Sequence, residues 1–180
     1  MRIIRDIEKF KSRGTALTIG KFDGVHIGHR KLLETLMREK GELESCVFTF
    51  DVKRECSVLD HDHRICSEEE KEGILSELGI ETLVLFPFDD TAASILPDDF
   101  VRDILVKKLN IKLLVVGDDF HFGKDRLGDT DLLMKLSKEL DFRLIVVDRE
   151  EFEGSPVSSS RIREELQKKN YTKADVMLGR

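Results

Sequence analysis

Cysteine, surplus basic charge and long apolar runs are all scarce in this chain, and each scarcity excludes something. The three cysteines, Cys46, Cys56 and Cys66, are odd in number and evenly spaced by ten, which matches no metal-ligand pattern. They read as reduced thiols, with Cys46, inside the apolar run "SCVFTF", a core residue. No apolar run approaches the ~18 residues of a membrane span, and the opening "MRIIRDIEKFKSRG" is too charged for a secretory signal. The expectation is a cytoplasmic protein with no membrane partner. Acidic residues outnumber basic ones, 36 to 30, for a formal charge of −6, which argues against a nucleic-acid binder. Neither GxGxxG nor GxxxxGK[ST] occurs, so the dinucleotide fingerprint and the P-loop are both absent, and so is HExxH.

What the sequence does contain is a regular alternation. At 180 residues, 40% hydrophobic and 37% charged, it has the size and composition of one packed domain. The runs "TALTIG", "SCVFTF", "ETLVLF", "KLLVVG" and "FRLIVV" read as buried parallel strands. Between them "HRKLLETLMREKG", "SEEEKEGILSELG", "PDDFVRDILVKKL" and "DTDLLMKLSKEL" carry the helical period. Ser67 with Glu70 makes a capping box, Pro97 suits a first helical position, and Gly41 and Gly79 suit helix ends. The pattern predicts a Rossmann-like α/β fold: an open, mainly parallel five-stranded sheet with helices on both faces. A short C-terminal helical tail, "SRIREELQKKN" and "TKADVMLG", completes a single domain over residues 1–180.

Ligands of such sheets bind beyond the carboxyl ends of the strands, where the strand order reverses. The loop after the first strand holds Lys21 to Gly28, with His26 and His29 on either side of Gly28. A helix beginning there directs unpaired N–H groups and its positive dipole end at the cleft, which favours anions. Residues three apart near a helix start share a face, so both imidazoles can serve one phosphate. Neutral imidazole can stabilise charge developing on that phosphate without holding the ground state tightly; two satisfied or surface histidines would have the same spacing. The polar loop ending "PVSSSRIREEL" offers a second anion site, where Ser158, Ser159 or Ser160 caps a helix and Arg161 or Arg163 adds charge. In "GDDFHFGKDRLGD", Phe120 and Phe122 flank His121, an arrangement that serves either core packing or a planar ligand.

Together "GKFDGVHIGH", "GDDFHFG" and "SSSRIR", in this order, resemble the adenylyltransferase module of bacterial FAD synthetases, within the wider HxGH nucleotidyltransferases. The framing stretch "FVRDILVKKLNIKLLVVG" and the closing "LGR" extend the resemblance over nearly the whole chain. It implies that AMP passes from ATP to FMN, giving FAD and pyrophosphate, with Mg²⁺ held mainly through the ATP phosphates and no metal ligand assigned on the protein. It also implies a catalytic set of His26, His29 and Arg163, and a nucleotide side of Gly20, Phe22, Asp23, Gly24, Gly28, Ser159 and Ser160. The flavin side would be Gly117, Asp119, Phe120, Phe122 and Gly123.

Two departures from the family pattern stand out. Val52, Lys53 and Arg54 replace the Pro-His-Pro run that often follows the second strand. This keeps open another phosphorylated acceptor, or a relative that binds nucleotide or flavin without turnover. The riboflavin kinase module that usually follows "LGR" in the family is not in this chain: either the chain is one module of a longer protein, or a separate riboflavin kinase supplies FMN as its partner.

Overall fold

The computed structural model describes residues 1–51 and 64–180. The substitutions at residues 52–54 and Cys56 lie outside the described residues. Six strands, β1 (Arg2–Ile4), β2 (Thr15–Ile19), β3 (Glu44–Asp51), β4 (Thr82–Pro87), β5 (Ile111–Gly117) and β6 (Arg143–Val147), form one sheet in the order β1-β4-β3-β2-β5-β6. Every neighbouring pair in it is parallel. The expected five strands are all present; the sixth, β1, corrects the count. It is a three-residue edge strand, mostly exposed, paired to β4 from Arg2↔Thr82 to Ile4↔Val84. Edge strands this short carry no run of buried residues for a pattern to reveal.

The helices are α1 (Ile27–Glu39), α2 (Glu68–Glu77), α3 (Asp90–Ala93), α4 (Pro97–Asp99), α5 (Thr130–Glu139), α6 (Ser159–Gln167) and α7 (Tyr171–Leu178). Their ends follow the expected chemistry. Ser67 and Glu70 close a reciprocal capping box on α2, Pro97 opens α4, and Gly41 and Gly79, at φ 55° and 82°, follow α1 and α2. The segment after α4 differs from an ordinary helix, since Phe100–Lys108 is wound as a π-helix. Its wider turn puts the buried Phe100, Val101, Ile104 and Leu105 on one side.

Alternation along the strands splits the core between the two faces of the sheet. Leu17, Phe48, Val84, Leu114 and Val116 pack with Phe100, Leu105 and Leu133 on one face. Ala16, Val47, Leu83 and Val115 pack with Leu33, Leu36 and Leu75 on the other. A third cluster, Val157, Ile162, Ala174, Met177 and Leu178, joins α6 to α7, with Ile27 and Ile65 packed against it. The tail is thereby docked at the start of α1, beside the carboxyl ends of the strands. A two-stranded hairpin, β7 (Glu151–Phe152) with β8 (Ser155–Pro156), leads into α6.

Candidate active site at the switch in strand order

Strand β2 has β3 on one side and β5 on the other, so the crossovers leaving it diverge and a crevice opens where the loops after β2 and β5 face each other. The β2 loop turns sharply: Phe22 lies in the left-handed region at φ 52°, and Gly24 at φ 78°. Gly20 fits closely under the Phe22 ring, which would have to give way to a Cβ standing 3.1 Å from it. Phe22 is fully buried, and its ring packs against His29 with centroids 4.9 Å apart. A Cβ on Gly24 would meet Ile65 Cγ2 at 2.7 Å and Leu178 Cδ2 at 3.0 Å, so this glycine admits the protein's own tail and the approach to α2.

His26 is the N-cap of α1. Its Nδ1 accepts from the backbone N–H of His29 at 3.3 Å, and the two imidazoles stack with centroids 3.6 Å apart and planes 16° from parallel. Gly28 makes this possible, since a Cβ there would press on His26 Nδ1 and Cε1 at 3.3 Å. Burial pulls His26 down to about 4, against the opposing charges of Asp23 and Asp119. Burial also holds His29 well below the ordinary histidine value, helped by His26 and by the Lys71 ammonium. Both rings are therefore neutral at pH 7. With Nδ1 of His26 occupied as an acceptor, its proton resides on Nε2, which is left as a donor. His29 Nδ1 is buried without a hydrogen-bond partner.

Asp23 ties three elements together. Its Oδ1 accepts from the Ile65 N–H at 3.0 Å, its Oδ2 faces Arg163 Nη2 at 3.4 Å, and its carbonyl accepts from Ser159 Oγ at 3.0 Å. The Gly24 N–H donates to Cys66 Sγ at 3.1 Å. Beside this junction lies a cavity of about 640 Å³ whose lining includes Lys21, Asp23, Lys71, Ser159, Ser160 and Arg163. The start of α6 opens into it. Ser158 Oγ caps α6 by accepting from the Arg161 N–H at 3.2 Å, leaving Ser160 exposed on the first turn. Lys21 is held below the ordinary lysine value by burial and then by the neighbouring cations Arg163 and Arg126. The lining sets five basic side chains against five acidic ones, so it is the start of α6 with Arg163 and Lys21, rather than the cavity as a whole, that suits an anion. Neither histidine lines it; the turn that carries them adjoins it through Lys21 and Asp23.

The choice between Arg161 and Arg163 is decided by the hairpin. Arg161 Nη1 donates to the carbonyls of Phe152 and Ser155 at 2.8 and 2.7 Å, and its guanidinium lies over the Phe152 ring, so it serves the fold. Arg163 is the one that reaches the cavity.

The loop after β5 contributes no residue to the lining of that cavity. Phe122 and Gly128 exchange backbone hydrogen bonds at 3.0 and 2.9 Å, closing the loop on itself. Phe120 and Phe122 stack with centroids 5.5 Å apart, and Phe122, at 6% exposure, belongs to the core while Phe120 packs only partly against it. Gly123, at φ 70°, would strike Pro97 with any side chain, at 2.7 Å. Gly117 leaves space for Asp119, whose Oδ1 would stand 3.1 Å from a Cβ there. Arg149 reaches the Asp118 carboxylate at 2.9 Å and that of Asp119 at 3.7 Å. Sequence reasoning passed over Lys71 and the structural use of Cys66. The sequence carries no signal for the first, since "SEEEK" reads as an ordinary helix start.

Comparison with known proteins bears on the same site. Residues 8–161 match the FAD synthetase family. The bifunctional riboflavin kinase/FMN adenylyltransferase of Escherichia coli K12 is 37% identical over 99% of this chain and 59% of its own length. An FAD synthetase of Listeria monocytogenes is 35% identical over 93% of this chain and 70% of its own length. The chain thus spans about three-fifths of the bifunctional relatives it matches. Among solved structures, a protein of Streptococcus pneumoniae described as a macrolide-efflux protein superposes with a TM-score of 0.84 at 27% identity, covering 98% of this chain and 59% of that one. Among the described residues no helix is long and apolar enough to cross a membrane. The pantothenate synthetase of Thermus thermophilus, at TM-score 0.57 and 16% identity over 98% of this chain and 71% of that one, shares the fold. With the match spanning most of its length, the chain belongs to the FAD synthetase family.

Proposed function

We propose that this chain transfers AMP from ATP to FMN, releasing pyrophosphate and forming FAD. The observation that carries the reading is the stacked, neutral His26–His29 pair at the start of α1, on the turn whose Lys21 and Asp23 line the cavity that Arg163 and the start of α6 also line. In the reaction a phosphate oxygen of FMN attacks the α-phosphorus of ATP. The bond from that phosphorus to the oxygen bridging to the β-phosphorus breaks, and pyrophosphate leaves with the electron pair. No protein nucleophile is needed; alignment and charge stabilisation suffice.

The Nε2–H of His26 donates to an oxygen of the transferring phosphoryl, and His29, stacked on it, supplies the second imidazole donor to the same phosphates. Arg163, Ser159, Ser160 and the N–H groups at the start of α6 hold the phosphates from the opposite side. Asp23 positions Arg163, while Gly20, Phe22, Gly24 and Gly28 shape the turn rather than touch the nucleotide. Asp119, Phe120, Phe122, Gly117 and Gly123 form the flavin side, with Phe120 the ring available for stacking. Among the described residues no group of three or more His, Cys, Asp or Glu side chains is gathered as a metal cage. A Mg²⁺ ion carried chiefly by the nucleotide phosphates would neutralise charge on their oxygens.

The 1–180 span acts as one nucleotidyltransferase domain in the cytoplasm, with FMN supplied by a riboflavin kinase. Purified protein given Mg-ATP and FMN, with riboflavin as a parallel acceptor, tests the reading by liquid chromatography. FAD from FMN alone is the expected result; no FAD from either acceptor refutes it.

A further inference from the structure

Lys71 is placed against three stabilising tendencies at once. It is 5% exposed, although lysine is among the residues least often buried. It stands in the first turn of α2, where the helix dipole opposes a cation. Its ammonium pairs with Glu68 at 2.7 Å, but Glu68 is itself 43% exposed and also accepts from Arg64 at 3.0 Å. A carboxylate open to solvent and already shared with an arginine does not require a buried lysine.

What the position does provide is access to the cavity. Lys71 lines it together with Lys21, Ser159, Ser160 and Arg163, and with Glu68 and Glu72 of its own helix, and its charge is felt at His29 and at Cys66. Residues that break local rules without a gain in stability mark functional positions.

We propose that Lys71 is a substrate-binding residue whose ammonium leaves Glu68 for a phosphate oxygen of the bound nucleotide. The proposal rests on the nucleotidyltransferase reading above. Glu68 keeps Arg64 and solvent when Lys71 departs, so the exchange strands no buried charge. Lys71 thus gives the cavity a cation from the α2 side, facing those that α6 and the β2 loop supply.

A structural lysine and a ligand-holding lysine respond oppositely to loss of charge. Lys71→Met keeps the length of the side chain and removes the ammonium. Calorimetric titration with Mg-ATP should find its affinity at least tenfold weaker than wild type, with a melting temperature equal to or above wild type. Lys71→Arg, which keeps the charge, should bind within a few-fold of wild type. A methionine variant that binds ATP as tightly as wild type, or that melts well below it, overturns the proposal. Assaying FAD formation by the same wild-type preparation separates the two levels. If wild type makes FAD and binds ATP while the methionine variant binds equally, the role of Lys71 alone falls. If wild type does neither, the nucleotidyltransferase reading falls and takes the proposal with it.

Discussion

His26 and His29 hold each other in place: the His29 N–H donates to His26 Nδ1 at 3.3 Å, and the two rings lie stacked with centroids 3.6 Å apart. One hydrogen bond therefore caps the helix, sets the tautomer of His26 and aims its remaining N–H away from the helix. A charge on His26 would disfavour a second one on His29, which reinforces what burial already enforces there.

The first prediction concerns stability against pH. The folded pKa of His26 is depressed from 6.5 to about 4, so between those values the unfolded chain binds a proton that the folded chain excludes. Stability is then full above pH 6.5 and is lost as pH falls toward 4, by roughly 3 kcal/mol from this group. Urea unfolding of wild type and His26→Asn across that window measures it, asparagine preserving a capping acceptor. The wild type should lose more stability than the variant; parallel curves would contradict the assignment.

The second concerns catalysis. His29→Ala should lower kcat by about 100-fold or more, the scale for removing one stabilising donor, while the KM for ATP moves only a few-fold. Equal losses in both would mean that His29 holds the ground state instead.

The third separates two arginines that share one turn of α6. Arg163→Ala should raise the KM for ATP about tenfold, the scale of a lost charge-assisted contact to phosphate, with little change in melting. Arg161→Ala should do the reverse, costing about 1–3 kcal/mol because the carbonyls of Phe152 and Ser155 lose their donor. Thermal melts and initial rates on both variants make the comparison, and exchanged phenotypes would reverse the roles.

The fourth concerns two glycines. Gly24→Ala must accept φ 78° and a 2.7 Å approach to Ile65, and should destabilise the protein by about 1–3 kcal/mol. Gly73→Ala, within α2 and with nothing within 4 Å of its Cβ, should stabilise by about 0.5–1 kcal/mol. Chemical denaturation of both gives the signs.

The four inner strands were legible because parallel strands buried on both faces must be runs of Val, Ile, Leu and Phe, as "KLLVVG" and "TALTIG" are, and the half-exposed edge strand β6 was legible because it keeps the run "RLIVV". Strand β1 was not, since Arg2–Ile4 contributes three mostly exposed residues at an edge. The hairpin β7–β8 was hidden for the same reason, its strands being two residues long inside a polar loop. At the site, the spacing of His26 and His29 announced a shared location, but not that one imidazole would cap the helix through the other's N–H. Residue type and spacing left Arg161 and Arg163 equivalent, only the family resemblance pointing to Arg163, until the hairpin carbonyls claimed the first. Lys71 was masked by its own neighbours, because "SEEEK" reads as a well-made helix start and the burial of its lysine is a tertiary fact.

The most direct test of the central claim follows the α-phosphorus. Protein, FMN and Mg-ATP labelled at that atom are mixed, and the products are separated over time. The account predicts label in FAD, with unlabelled pyrophosphate formed in equal amount, and no label transferred to riboflavin. Label appearing in ADP, or remaining wholly in ATP while FMN is unchanged, would contradict adenylyl transfer by this site.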